Sequence, residues 1–174
     1  LNNYSPKNYI DLIEAAGEGG YKVIIVDSLS HAWEGEGGAL DMVDAATKRS
    51  QSGNSYTAWK DVTPLQRRMI DAMLQSNAHI IVTMRSKMEY AMEKDDKGKT
   101  VIRKLGLAPI QRQGMEYEFT IVCDMDTDHN LVVTKSRMET LADQVVNKPD
   151  QKFFKKVLDW LNSGAPVAQP EKAP

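Results

Sequence analysis

Two short apolar runs stand out from an otherwise amphipathic chain. Val23–Val26 is an unbroken β-branched run followed at once by Asp27 and Ser28. His79–Met84 reads His-Ile-Ile-Val-Thr-Met, with Thr83 near its carboxyl end and Arg85, Ser86 and Lys87 directly after it. Runs of this kind predict strands buried on both faces, in a sheet covered by helices. Between and before them the apolar period is helical. Ser5-Pro6 supplies an N-cap and a first-turn proline, and Tyr9, Leu12, Ile13 and Ala16 then form one stripe that Gly17 and Gly19-Gly20 close. A modest helix is predicted from about Ala39 to Lys48, and Gln51–Ser55 is loop. A longer helix has its main part at Thr63-Pro64-Leu65-Gln66, a capping-box pattern with proline at N1. Tyr56–Lys60 reads as an earlier turn kinked into it, and Leu65, Met69, Ile70 and Met73 form its buried face. Two strands joined by helices, each ending in a polar cluster, imply a parallel pair with a right-handed crossover.

After Met88 the pattern changes. Tyr90, Met92, Val101 and Ile102 flank Asp95-Asp96-Lys97-Gly98-Lys99, which predicts a hairpin over 88–104 with a polar tip. Leu105–Gln113 reads as loop or a short helix. Tyr117–Cys123 is a third apolar strand, and Asp128-His129-Asn130 turns it back into Leu131–Thr134, an antiparallel hairpin at the far side of the sheet. Asp150 caps a last helix to about Asn162, with Phe153, Phe154, Val157, Leu158, Trp160 and Leu161 buried or half-buried; Gly164 ends it. The Pro- and Ala-rich residues 165–174 read as a disordered tail. The predicted fold class is α/β: a mainly parallel sheet flanked by helices, with an antiparallel hairpin on the C-terminal side, as one core over 1–163.

Bulk properties narrow the function classes. At 174 residues the chain is long enough to bury a real core. A formal charge of −2 argues against a strongly basic nucleic-acid binder, though not against a local basic patch. The single cysteine, Cys123, permits no internal disulfide and no Cys-type zinc site. No apolar run approaches the 18 residues of a membrane span. The first residues have neither a basic nor a hydrophobic segment of the signal-peptide kind. The absence of an initiator Met is what a fragment would show. Asp124, Asp126, Asp128 and Asn130 invite a calcium loop, but His129 and Lys135 stand where Gly and Glu are required. An acidic hairpin turn is the better account.

Four apolar residues, then Asp, then Ser is how the Walker B strand of a P-loop nucleotide hydrolase reads. The segments Tyr21–Trp33, His79–Tyr90, Gly114–Asp128 and Leu131–Arg137 together resemble a RecA-like P-loop ATPase, nearest to the AAA-type ATP-binding proteins of phages and prophages. The resemblance implies ATP and Mg²⁺ as cofactors. Asp27 would be the Mg²⁺ ligand through water, with Ser28 beside it. Thr83 would sense the γ-phosphate, Arg85 and Lys87 would contact phosphate or DNA, and Lys135 and Arg137 would reach a neighbouring subunit's ATP site. It implies further a homo-oligomer acting on single-stranded DNA in recombination or annealing, in the cytoplasm of a bacterial host. The sequence departs from the family in one respect. The Gly-x-x-x-x-Gly-Lys-Ser/Thr loop that surrounds the phosphates is nowhere present. The expectation is therefore an N-terminally truncated core that hydrolyses ATP poorly alone. Glu34 is a weak candidate for polarising water, and His31 and Trp33 read as loop packing. Two other classes stay open. One is a non-catalytic nucleic-acid- or protein-binding module using Arg85, Lys87, Lys135 and Arg137. The other is a metal nuclease using Asp27, Glu34 and Asp124.

Overall fold

Ser5 caps the first helix, α1 (Pro6–Glu18), its hydroxyl accepting from the Asn8 amide, with Pro6 in the first turn. A computed structural model describes residues 3–50, 54–94 and 100–164, and for Ala91, Glu93 and 101–105 the backbone alone. The predicted tail at 165–174 and the hairpin tip at 95–99 lie outside the described residues. The described residues fall into two compact units, 1–115 and 116–174.

In the first unit α1 leads into strand β1 (Val23–Val26). A single turn α2 (His31–Glu34), helix α3 (Ala39–Arg49) and the long helix α4 (Ser55–Leu74) follow, then strand β2 (His79–Val82). β1 and β2 pair in parallel, Val23 opposite His79 through Val26 opposite Val82. Helix α4 packs against both α1 and α3, and Ala39, Val43, Ala58 and Val62 form a core between α3 and α4. Strands β3 (Ser86–Lys94) and β4 (Thr100–Pro109) then form an antiparallel hairpin.

The second unit is a three-stranded antiparallel sheet in the order β5–β6–β7, from Ile121–Met125, Asn130–Ser136 and Val145–Asn147. A 3₁₀ turn, Met115–Glu118, precedes it and helix α5 (Gln151–Leu161) follows it. Leu131, Val133, Met138, Leu141 and Phe153 make its core. Asp150 caps α5, accepting from the Lys152 and Phe153 amides.

Several expectations need correction. The fold is mixed α/β, but among the described residues parallel pairing is confined to β1–β2, and the other two sheets are antiparallel. Neither parallel strand is buried on both faces: Val23, Ile25 and Ile81 are exposed while Ile24, Val26, Ile80 and Val82 are half-buried. A β-branched run reports strand formation faithfully, yet it cannot report whether a second layer covers it. Helix α4 has no separate turn at Tyr56–Lys60 before a main part at Thr63. It is one helix from an Asn54 cap through Pro64, because the stripe Ala58, Val62, Gln66, Met69 and Met73 is buried on both sides of the proline. Leu105–Pro109 belongs to β4 rather than to a loop. The third strand begins only at Ile121, since Met115–Glu118 turns as a 3₁₀ helix. In α5, Phe153 is buried, but Phe154, Leu158 and Leu161 are exposed: one helical face packs and the other does not.

Candidate nucleotide site

The β1–β2 ladder continues past the strand ends and carries the polar residues with it. The Thr83 amide donates to the Val26 carbonyl at 3.0 Å and the Leu29 amide to the Thr83 carbonyl at 2.9 Å. This clamps the Asp27–Ser28–Leu29 turn, whose Asp27–Ser28 peptide is cis, against the tip of β2. Asp27 and Thr83 therefore emerge side by side. The Thr83 hydroxyl donates to Asp27 Oδ1 at 2.5 Å. Both side chains are exposed, and Oδ2 of Asp27 has no protein partner among the described residues. A hydroxyl bonded to one oxygen leaves the carboxylate oriented and its second oxygen open to solvent.

Behind the tip the turn is buried and tied down. Ser28 and Ser30 are buried, Leu29 fully so. The Ser28 hydroxyl meets His31 Nδ1 at 3.1 Å, and the Ser28 carbonyl accepts from the Tyr9 phenol at 3.3 Å. The Ser30 hydroxyl accepts from the Arg85 amide at 2.9 Å. Gln111 closes the turn from the far side, donating Nε2 to the Leu29 carbonyl at 3.0 Å while its Oε1 accepts from Gln66 Nε2 at 3.0 Å and from the Arg112 amide at 2.8 Å. Sequence reasoning missed Ser30, Gln66 and Gln111. The available signal was Gln66, a polar residue on the apolar stripe of α4; a buried amide there requires a partner.

Arg85 and Glu34 come together. The Arg85 guanidinium donates to Glu34 Oε1 at 2.5 Å in a partly exposed ion pair. That pairing engages the carboxylate considered for polarising water and one edge of the guanidinium considered for phosphate. His31 stacks on Tyr4 at 4.7 Å and Trp33 on Trp59 at 5.5 Å, the packing roles expected of them. A groove of about 300 Å³ runs between α1 and β1, lined by Tyr4, Tyr9, Leu12, Ile13 and Ile24–Asp27.

Lys135 and Arg137 belong to the second unit. The Lys135 ammonium donates to the Glu116 carbonyl at 3.4 Å, to the Tyr117 carbonyl at 2.6 Å and to that of Phe119. Burial and the neighbouring Arg137 lower its pKa, opposed by Glu118 and Glu116. An irregularity between Val122 and Cys123 sets Cys123 opposite Val133 and Val122 opposite Lys135. Arg137 lies just beyond β6, exposed, its amide held by the Thr120 carbonyl at 3.0 Å. In the same unit Asp126 organises the β5–β6 turn, accepting from the side chain and amide of Asn130 and from the Asp128 amide. Those bonds hold its carboxyl below the ordinary range, the Asn130 side chain first.

The sequence model of the AAA domain matches residues 5–152. The chain belongs to the AAA-domain family. AAA domains of this kind are P-loop ATPases, which generally bind ATP with Mg²⁺. No curated protein and no solved structure matches this AAA domain. The match takes in both strand tips, the β3–β4 hairpin and the sheet of the second unit. Among the described residues of this AAA domain no helix is long and apolar enough to cross a membrane.

Proposed function

We propose that this AAA domain is the ATP-binding core of a phage-type DNA recombination or annealing protein, read from its Walker B strand onward. One observation carries the nucleotide site: a carboxylate and a hydroxyl, 56 residues apart, hydrogen-bonded at the carboxyl tips of adjacent parallel strands. That edge of an open α/β sheet is where ligands bind. The donor set fits hydrated Mg²⁺, because Asp27 keeps an exposed oxygen free to accept from metal-bound water. Bound Mg²⁺·ATP supplies a γ-phosphoryl group open to attack by water. Thr83 holds the Asp27 rotamer and carries a proton that a phosphate oxygen can take over by one hydroxyl rotation. Such an exchange reports whether the third phosphate is there. Arg85 stays close to the site, its charge shared with Glu34. Arg137 is the better cation to extend to a neighbouring subunit, since the Lys135 ammonium is occupied by three carbonyls. The phosphate-surrounding loop would come from residues outside these 174, none of which supply it.

The test uses the reading frame that contains this AAA domain together with its upstream residues. Mg²⁺-dependent ATP hydrolysis is expected, with Asp27→Ala lowering kcat by about 10²-fold or more, the scale of losing one group that organises transition-state charge. Unchanged turnover in Asp27→Ala removes this carboxylate from the mechanism. The missing phosphate loop also favours a second reading, a non-catalytic module that binds nucleic acid or protein. An upstream sequence without a Gly-rich phosphate loop would select it.

A further inference from the structure

The β3–β4 hairpin has two unlike faces. Side chains alternate along a strand, so Ser86, Met88, Tyr90, Met92 and Lys94 share one face of β3 and Lys87 and Glu89 the other. Glu89, the carboxylate among the described side chains of β3, lies on the second face. On the first, Tyr90 is 59% and Met92 80% exposed. The register sets Leu107 opposite Met88, Lys104 opposite Tyr90 and Ile102 opposite Met92, and Leu107 is exposed too. The irregularity between Glu89 and Tyr90 leaves the alternation of β3 intact, because the extra residue is in β4. Over 86–109 the sequence has six basic and four acidic residues, in a chain whose formal charge is −2. The hairpin is thus a locally cationic arm with an aromatic and thioether strip free of acid.

We propose that this Ser86–Lys94 face is a contact surface for single-stranded nucleic acid, with bases against Tyr90 and Met92 and phosphates beside Lys94. The inference deepens the DNA-partner part of the reading above and does not depend on the Asp27–Thr83 site. Aromatic stacking is indifferent to base identity, and lysines beside it follow the backbone. The charge pattern selects a polyanion over an apolar protein segment, which would tolerate a carboxylate on that face. Unpaired bases are required because a duplex keeps its base faces stacked inside, leaving nothing to cover Tyr90 and Met92. The hairpin is rooted beside the strand tips: the Ile110 amide donates to the Arg85 carbonyl at 2.7 Å, and Gln111 follows directly.

Fluorescence anisotropy of the full 174-residue chain with a labelled 30-mer oligo(dT), at several salt concentrations, decides it. Tyr90→Ala should weaken binding about tenfold, within the range of one lost stacking contact, and Tyr90→Phe should restore it. Lys94→Gln should weaken binding and flatten the log–log salt slope by about 0.7. Lys48→Gln, exposed on α3, should change neither. Oligo binding that Tyr90→Ala and Lys94→Gln leave intact overturns the hairpin face while sparing the DNA partner. No binding by the parent chain overturns both. Preference for a duplex, binding instead to phosphatidylserine vesicles, or a dimer in light scattering that Tyr90→Ala dissolves would each assign the face to another occupant and overturn the proposal. Thermal melts of the variants should match the parent, since Tyr90 and Lys94 are exposed.

Discussion

Tyr9 joins the first helix to the strand-tip turn through a single hydroxyl. Its ring is 6% exposed, and its phenol donates to the Ser28 carbonyl at 3.3 Å. Burial, with Tyr4 beside it, pushes that phenol from 10.0 up to about 12. Below pH 10 the group is protonated in folded and unfolded chains alike. Between about 10 and 12 the unfolded chain releases its proton while the folded chain keeps it, so stability falls as pH rises through that window. Tyr9→Phe has no such proton. At pH 8 it should be about 1 kcal/mol less stable in urea for want of the hydrogen bond, and the deficit should shrink or reverse toward pH 12. A deficit constant across that range would show that the Tyr9 proton is not linked to folding. Ionisation of groups that do not act on Tyr9 is common to both proteins and cancels in the difference; Tyr4, whose charge acts on it, does not cancel.

At the scale of elements, Gln111 is the hub that joins the end of the hairpin, α4 and the strand-tip turn. Replacing it with Leu leaves the Leu29 carbonyl with the Ala32 amide alone and strips the Gln66 amide and Arg112 N–H of their acceptor. Replacing Gln66 with Leu leaves Gln111 Oε1 still bonded to the Arg112 amide and removes only a weak 3.4 Å contact from Arg112 besides. Gln111→Leu should therefore cost about 2–3 kcal/mol and Gln66→Leu about 1, the difference following from how many buried groups each leaves unsatisfied. Equal losses in urea denaturation would mean that the two amides act as a simple pair. The same elements show what could be read from sequence. Caps and strand tips were legible because they are local: Ser5, Asp150, Asp27 and Thr83 each stand beside the apolar run that places them. The Gln66–Gln111 bond, between residues 45 apart, was not legible, since no local pattern announces it. Pro64 misled for the opposite reason, a strong local signal overruled by burial on both sides of it.

At the scale of the whole molecule, the β1–β2 pair is the least finished part of the first unit. A parallel pair normally sits inside a larger sheet with helices on both faces. Here each strand pairs on one side only among the described residues, and Val23, Ile25 and Ile81 stand exposed on one face, Ile25 at 67%. Exposed apolar surface beside unpaired strand edges promotes association between copies. It follows that a charge on this face should improve solution behaviour without touching the fold. Ile25→Lys should leave the urea midpoint of the 174-residue chain within about 0.5 kcal/mol of the parent, as surface changes do, while lowering concentration-dependent association in light scattering. In a chain whose upstream residues supplied further strands, as proposed above, the outcome should invert. If upstream residues complete the sheet, Ile25 becomes interior, and a buried unpaired lysine is strongly destabilising. The same substitution, neutral in one context and disruptive in the other, thus measures whether the strands that carry Asp27 and Thr83 belong to a larger sheet. Comparable stability of Ile25→Lys in both contexts would mean that no second layer covers them.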